Sequence, residues 1–198
     1  MIKTLLFLLF VFWSPNSFAQ TSYIVTKKGD KIIVQDGADA WDIIVIDKRI
    51  SYKLPGKTWE KYITFSDLDY AMLGAFKFKS FVINKRKKAY FVQAEANGKS
   101  LISLAVTTVT TNGNMSLSST NYEVYIVDDQ GAILAQLDFH SYKNKISAAE
   151  RAKMPGMIKA HFPDCAKVIA AIDSANTNDE FNLGILDFLD SPFLMDCD

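Results

Sequence analysis

The sequence predicts an α+β fold that is rich in β-structure: an antiparallel meander, arranged as a sandwich or a partly open barrel, with C-terminal helices packed on one face. Short apolar runs alternate with turn residues as far as residue 140, which is typical of antiparallel strands. Beyond residue 140 the period of the apolar pattern changes from two residues to 3.6 residues, which indicates helices. Strands followed by helices favour a sheet with helices on one face.

A hairpin over residues 89–109 is predicted to lie in the middle of this sheet. Its turn is Asn97-Gly98, a pair that tolerates the positive φ of a type I′ turn. A two-residue turn with an unbroken register pairs Val92 with Ser103. Both faces of the two strands are mostly apolar, so we expect other strands to cover one face and the C-terminal helices the other.

The remaining strands are predicted from short apolar runs bounded by turn signals. They are Ser22–Thr26, Lys31–Val34, Ile43–Ile46, Ile50–Lys53, Trp59–Phe65, Phe76–Val82, Tyr122–Val127 and Ala132–Phe139. Between them, Ser66-Asp67 is interpreted as the start of a single helical turn. The segment Thr110–Thr120, rich in Thr, Ser and Asn, is interpreted as a loop.

Three helical segments are predicted after the strands. Ser147 and Glu150 form a capping box, which opens a helix that Pro155-Gly156 interrupts. Pro163 suits the first turn of a second helix. The apolar residues between Phe181 and Leu189 have the spacing of a third.

Residues 1–19 have the pattern of a secretory signal peptide. Lys3 precedes an unbroken apolar run from Leu5 to Trp13, and Ser17 and Ala19 supply the small residues of a cleavage site. The run is shorter than the roughly 20 residues that span a bilayer. A retained membrane anchor is the competing interpretation. The sequence therefore predicts an extracytoplasmic protein, periplasmic or secreted.

Residues 20–198 are predicted to form a single β-rich domain, with antiparallel strands over 20–140 and a helical part over 147–198. Without Lys3 the chain carries 21 Lys and Arg against 22 Asp and Glu. Such a balance argues against a dedicated nucleic-acid-binding protein, which is normally basic. No segment after the signal peptide is predicted to cross a membrane.

Three short motifs resemble uncharacterised exported proteins of Bacteroidetes-type bacteria. They are Phe18-Ala19-Gln20 at the end of the signal peptide, Gly29-Asp30-Lys31-Ile32 on an early strand and Phe162-Pro163-Asp164-Cys165 on a late helix. The resemblance implies an extracytoplasmic β-rich domain with a helical tail. It brings no known activity and no catalytic residue.

The sequence contains no recognisable catalytic set. A nucleophile elbow, a Walker A motif, a dinucleotide fingerprint and an HExxH motif are all absent. His161 and Cys165 are four residues apart, the spacing of one helix face, and they define a hydrolase alternative in which Cys165 would be the nucleophile. Pro163 is expected to separate their helices. We therefore predict no catalytic residue, no cofactor and no metal site.

The only two cysteines, Cys165 and Cys197, are predicted to form a disulfide. Disulfides persist in exported proteins, and Cys165 shares a helix face with apolar residues that point it into the protein. Two unpaired thiols are the alternative, with Cys165 as a small buried hydrophobic residue.

Four consecutive basic residues, Lys85, Arg86, Lys87 and Lys88, are predicted to lie on a turn. Such a turn is a candidate site for an anionic surface, for example a lipopolysaccharide phosphate or an acidic glycan. The alternative is a solvated hairpin tip that protects the sheet from aggregation.

These observations favour an exported, non-enzymatic binding or envelope-accessory domain. Its candidate partners are an anionic envelope component or another exported protein. A lipocalin-like carrier of a small apolar ligand is the first alternative, and it requires an internal cavity of several hundred Å³. The hydrolase with His161 and Cys165 is the second.

Overall fold

A long antiparallel sheet, a small sheet and three helices make up the computed structural model, which describes residues 21–37, 39–112, 115–176 and 179–197. The predicted signal peptide, residues 1–19, lies outside the described residues. None of the helices in the described ranges has the length and apolar content needed to cross a bilayer.

The strands and helices are named in chain order. The strands are β1 Tyr23–Thr26, β2 Lys31–Ile33, β3 Trp41–Ile44, β4 Arg49–Lys53, β5 Glu60–Thr64, β6 Leu68–Leu73, β7 Phe76–Ile83, β8 Arg86–Ala96, β9 Lys99–Asn112, β10 Met115–Asp128, β11 Ile133–His140 and β12 Met195–Asp196. The helices are α1 Lys145–His161, α2 Ala166–Ala175 and α3 Gly184–Asp190.

The large sheet has the order β11-β10-β9-β8-β7-β6-β1-β2, with all neighbours antiparallel, and β12 pairs in parallel with β8. Strands β3, β4 and β5 form the small sheet. The predicted class, a β-rich antiparallel meander with C-terminal helices, is confirmed. The large sheet is open, because its end strands β2 and β11 are not paired with each other.

The central hairpin lies in the middle of the large sheet as predicted, but its register differs. Asn97 and Gly98 have φ values of 51° and 70°, as a type I′ turn requires. A shift between Val92 and Ala94 then pairs Val92 with Ile102, not with Ser103. The extra residue at this shift is Gln93, whose buried side chain donates to helix α3, and a turn-based register contains no signal for such a bulge.

The helices and the small sheet lie side by side and cover the same face of the large sheet. The three helices pack on β8–β11, in a core that includes Leu101, Val124 and Ile158. The small sheet packs on the other half of that face, where Ile50 and Phe78 are buried together. The expectation that strands and helices would cover opposite faces is therefore wrong.

The opposite face of the large sheet carries a buried cluster, against which Val45 of the β3–β4 turn also packs. Strand alternation places there a cluster from β7–β10: Phe81, Ile83, Tyr90, Val92, Ile102, Leu104, Tyr125 and Val127. Leu194, next to β12, packs against this cluster from the chain's C-terminal end. The central strands are thus buried on both faces, which explains their lack of clean polar alternation.

Two of the predicted connections are strands. The segment Thr110–Thr120 belongs largely to the long β9–β10 hairpin, which the structure describes except at residues 113 and 114. Its Thr residues are β-branched and suit a strand, so the polar composition misled the loop interpretation. Strand β6 directly follows the turn at Ser66-Asp67, where only a helical turn was expected.

Helix α1 begins and continues differently from the prediction. Its N-cap is Asn144, whose Oδ1 accepts a hydrogen bond from the Ser147 backbone N–H at 2.8 Å, so Ser147 is not the cap. The helix also runs through Pro155 without a break. Burial of Met154 and Ile158 on either side of the proline outweighs the one lost backbone bond.

The predicted pairing of the cysteines is confirmed as a pair at disulfide distance. The sulfur atoms of Cys165 and Cys197 are 2.11 Å apart and their Cα atoms 4.7 Å apart. Cys165 is the N-cap residue of α2, and Cys197 directly follows β12. The pair therefore joins the helical layer to the strand that pairs with β8.

Candidate functional site

The predicted basic turn borders a cavity of about 580 Å³ at one end of the two sheets. The β7–β8 turn, the β3–β4 turn and the β5–β6 turn come together there. The lining residues are Asp47, Lys48, Thr64, Phe65, Ser66, Arg86, Lys87 and Lys88. We call this cavity the basic cleft.

The conformation of the β7–β8 turn decides which of its cations reach the cleft. Asn84 and Lys85 occupy the two turn positions, with φ values of 50° and 63°. Asn is one of the few non-glycine residues that tolerate positive φ. Lys85 consequently lies at the exposed tip, while Arg86, Lys87 and Lys88 follow on β8 and line the cleft.

Lys87 is held in the cleft beside another cation. Its Nζ donates to the backbone carbonyl of Ser66 at 2.7 Å. The neighbouring side chain of Lys27, from the β1–β2 turn, lowers the pKa of Lys87, and desolvation lowers it further; Asp67 has the opposite effect. Two neighbouring ammonium groups repel each other, and an anion bound between them would relieve that repulsion.

Lys88 is already neutralised by a carboxylate of the protein. Its Nζ donates to both oxygens of Glu123, at 2.6 and 2.8 Å. The buried hydroxyl of Tyr90 donates to the same carboxylate at 2.8 Å, and burial together with this contact raises the pKa of Tyr90. Lys88 is therefore a structural residue on the wall of the cleft rather than a free cation.

Asp47 is the one acidic side chain among the described lining residues. Its carboxylate forms an ion pair at 2.9 Å with Arg49, a residue that does not line the cleft. The positive charges of Lys48 and Arg86 are thus not balanced by an acidic residue of the lining, while Asp67, next to the lining, offsets part of the charge of Lys87. The hydroxyls of Thr64 and Ser66 add polar groups to the same wall.

The four residues predicted as an anionic-surface site therefore have three different roles in the structure. Arg86 and Lys87 line the cleft, Lys88 is paired with Glu123, and Lys85 is at the tip. Lys48 was not predicted, because it is far from the basic turn in the sequence. A turn signal at Asp47-Lys48 was visible, but no local pattern shows that two distant turns will meet.

The second predicted constellation is not brought together as a catalytic pair. His161 is the last residue of α1, whereas Cys165 precedes α2, so they do not share a helix. Because the sulfur of Cys165 is bonded to that of Cys197, no thiolate is available there. Within the described ranges, no three His, Cys, Asp or Glu side chains converge in a way that could hold a metal ion.

Comparison of the chain with protein-family models, with curated proteins and with solved structures returns no match.

Proposed function

We propose that this protein is an exported binding domain, and that its basic cleft binds a phosphate or carboxylate group of an anionic envelope component. The proposal is supported above all by the cations Lys48, Arg86 and Lys87, which converge from separate turns without a balancing acid in the lining. Unbalanced charges inside a concave surface concentrate oppositely charged ligands.

The shape of the cleft favours a bound group over a general electrostatic effect. A flat patch of surface lysines attracts any polyanion, whereas here the cations stand around a cavity together with Thr64 and Ser66. Arg86 offers a planar guanidinium that suits two oxygens of a phosphate or a carboxylate. The Lys87 ammonium supplies a further donor, whereas the hydroxyl of Thr64 already donates to Asp67 and is hydrogen-bonded to that of Ser66.

The expectation of export is supported by the Cys165–Cys197 pair, since disulfides persist outside the cytoplasm. Mass spectrometry of the exported protein tests it directly. We expect an N-terminus at or within a residue or two of Gln20, as the cleavage pattern predicts. Recovery of exported protein that still begins at Met1 would contradict the signal-peptide interpretation.

Binding is tested with the triple variant Lys48→Gln, Arg86→Gln and Lys87→Gln. Immobilised lipopolysaccharide and its dephosphorylated form serve as matched ligands, and polygalacturonate tests carboxylates. We expect the wild type to be retained on at least one anionic ligand in a salt-sensitive manner, and the triple variant to bind it about tenfold or more weakly.

The control is the variant Lys57→Gln, Lys143→Gln and Lys145→Gln. It removes the same number of charges from exposed positions outside the cleft lining. If net charge alone attracted the ligand, both triple variants would lose the same affinity. Equal retention of wild type and cleft variant at low salt would leave the basic turn as a solvated hairpin tip.

A further inference from the structure

A second cavity, of about 300 Å³, lies at the seam where the helices and the small sheet meet on the large sheet. Trp41 from β3 lines one side, and Leu189 and Asp190 at the end of α3 line the other. Phe76 and Phe91, from adjacent strands of the large sheet, line it between them. Junctions between layers are common positions for small-molecule sites. We call this cavity the seam cavity.

Three aromatic rings bound the seam cavity from different directions. The ring centroids of Trp41 and Phe76 are 5.9 Å apart with an angle of 68° between the planes. Phe76 and Phe91 are likewise 5.9 Å apart, at 63°. All three side chains are only partly buried by the protein itself. Trp41 and Phe91 thus each contact Phe76 edge-to-face, and Phe76 also stacks on Phe193, with ring centroids 4.9 Å apart.

Asp190 supplies the one charged side chain among the described lining residues, and the remaining ones, Ala105, Leu189 and Pro192, are apolar. Its Oδ1 accepts a hydrogen bond from the hydroxyl of Tyr122 at 2.9 Å. Burial raises the pKa of Tyr122, and the hydrogen bond to Asp190 raises it further, so the phenol stays protonated and donates to the carboxylate. Tyr122 thereby holds the carboxylate of Asp190, an exposed residue of the lining, in place.

The chemistry of this lining selects among ligand classes. Aromatic faces carry negative electrostatic potential, and a carboxylate adds a full negative charge, so an anion is disfavoured. A sugar presents several hydroxyl groups, each of which needs a partner when it is buried, and the polar side-chain groups of the lining are the Asp190 carboxylate and the Trp41 indole N–H. A cation with apolar substituents satisfies both the rings and the carboxylate.

We propose that the seam cavity binds a small organic cation, an ammonium group with apolar substituents, through Trp41, Phe76, Phe91 and Asp190. This site is separate from the basic cleft, and its ligand has the opposite charge. Failure of one proposal therefore leaves the other standing.

The probe is choline, and its neutral isostere 3,3-dimethylbutan-1-ol is the matched control. The two molecules have nearly the same shape and differ in the positive charge. Binding to the full chain is followed by calorimetry and by tryptophan fluorescence, to which Trp41 contributes together with Trp13 and Trp59. We expect choline to bind at least about tenfold more tightly than the isostere. Equal affinity, or no binding of choline at tens of millimolar, would overturn the proposal.

Substitutions of the lining residues test whether choline binds in the seam cavity. Asp190→Asn keeps an acceptor for Tyr122 and removes the charge, and we expect it to weaken choline binding about tenfold. Phe76→Leu keeps an apolar side chain and removes a ring, and we expect it to weaken choline binding to a similar extent. The control Asp187→Asn removes a charge from the same helix, where the side chain lines the neighbouring cavity at Gln93 and not the seam cavity.

A folded variant is recognised by an unchanged circular dichroism spectrum. Asp187→Asn should bind choline like the wild type. An equal loss in Asp187→Asn and Asp190→Asn would mean that the cation responds to the general charge of α3, and the proposal would then be wrong.

Discussion

Gln93 connects the central strand β8 to helix α3: its Nε2 donates to the backbone carbonyl of Phe188 at 2.9 Å. The two residues are 95 positions apart in the chain, and Gln93 is only 1% exposed. Because Gln93 is the bulged residue of the hairpin, the bulge and the helix contact occur together. The bond thus couples the register of the sheet to the position of the helical layer.

The substitution Gln93→Glu tests this coupling. The substitution removes the side-chain N–H that donates to the backbone carbonyl of Phe188. The buried Oε1 of Gln93 has no hydrogen-bond partner in the described part of the chain, so an introduced carboxylate would have none either. We expect the free energy of unfolding at neutral pH to fall by about 3 kcal/mol or more, because a buried charge would lack a partner. Urea unfolding measures it, with the exposed Gln130→Glu as the control.

The pH dependence provides a second check on that variant. Burial would raise the pKa of the introduced carboxyl above its value in the unfolded chain. Its destabilising effect should therefore be greatest above the raised pKa and should diminish as the pH falls through it. A stability difference from wild type that is independent of pH would contradict burial of the charge.

Arg151 is fully buried and joins three segments through its guanidinium. It donates to the backbone carbonyls of Phe181 at 2.8 Å, His140 at 2.9 Å and Tyr142 at 3.2 Å. Desolvation lowers the pKa of Arg151, with Asp179 and Tyr122 opposing the shift. The end of β11 is thereby tied to α1 and to the start of the third helical region.

We expect Arg151→Met to lower the free energy of unfolding by about 3–5 kcal/mol, since three carbonyls would lose a charged donor. Arg151→Lys should recover only part of the loss, because one ammonium cannot reproduce the planar fork. Arg86→Met on the exposed strand end is the control and should change little. Retention of wild-type stability in Arg151→Met would show that the buried guanidinium is dispensable.

The fold class was predictable because periodicity is a local property. The turn at Asn97-Gly98 and the change of period after residue 140 are visible without knowledge of tertiary contacts. The bulge at Gln93 was not predictable, because the side chain of the bulged residue binds a carbonyl on a helix far along the chain. The same applies to Pro155, where burial of neighbouring residues keeps the helix continuous.

The candidate sites were predictable only in part. The basic turn was visible as a run of charge, but Glu123, which neutralises Lys88, belongs to another hairpin. Lys48 reaches the basic cleft only because two turns meet in space. For the seam cavity the aromatic content was visible, but the meeting of Trp41 with Phe76 depends on the packing of the small sheet.

Asp138 stands directly across the β10–β11 pair from Glu123, which places two carboxylates side by side. Partial desolvation raises the pKa of Asp138, although the residue is exposed, and the charge of Glu123 raises it further. A carboxyl whose folded pKa exceeds its unfolded value destabilises the protein above that pKa, and the effect disappears as the pH falls below the unfolded value.

We therefore expect Asp138→Asn to raise the melting temperature slightly at neutral pH, by about 1 °C, because the carboxyl is exposed and solvent screens it. The gain should vanish in acid. Calorimetry at several pH values measures the difference, and Asp129→Asn in the β10–β11 turn is the control. A loss of stability at neutral pH would mean that the Asn121 contact to this carboxylate dominates.

The Cys165–Cys197 pair closes a loop with a sequence separation of 32 residues. In the chain-entropy model, a cross-link of that length stabilises a protein by about 3–4 kcal/mol, because it restricts the unfolded chain. We expect the double variant Cys165→Ala and Cys197→Ala to lose free energy of unfolding of this order. Both side chains contact the helical core, so part of the loss reflects packing.

A reducing agent separates the two contributions. Added dithiothreitol should lower the stability of the wild type and leave that of the double variant unchanged, since only the wild type has a bond to reduce. The single variant Cys197→Ala serves as the matched control: it retains the buried Cys165 but cannot form the bond. If dithiothreitol left the wild type unchanged, or if both thiols of denatured, non-reduced protein reacted with a thiol reagent, the bond would be absent from the protein in solution.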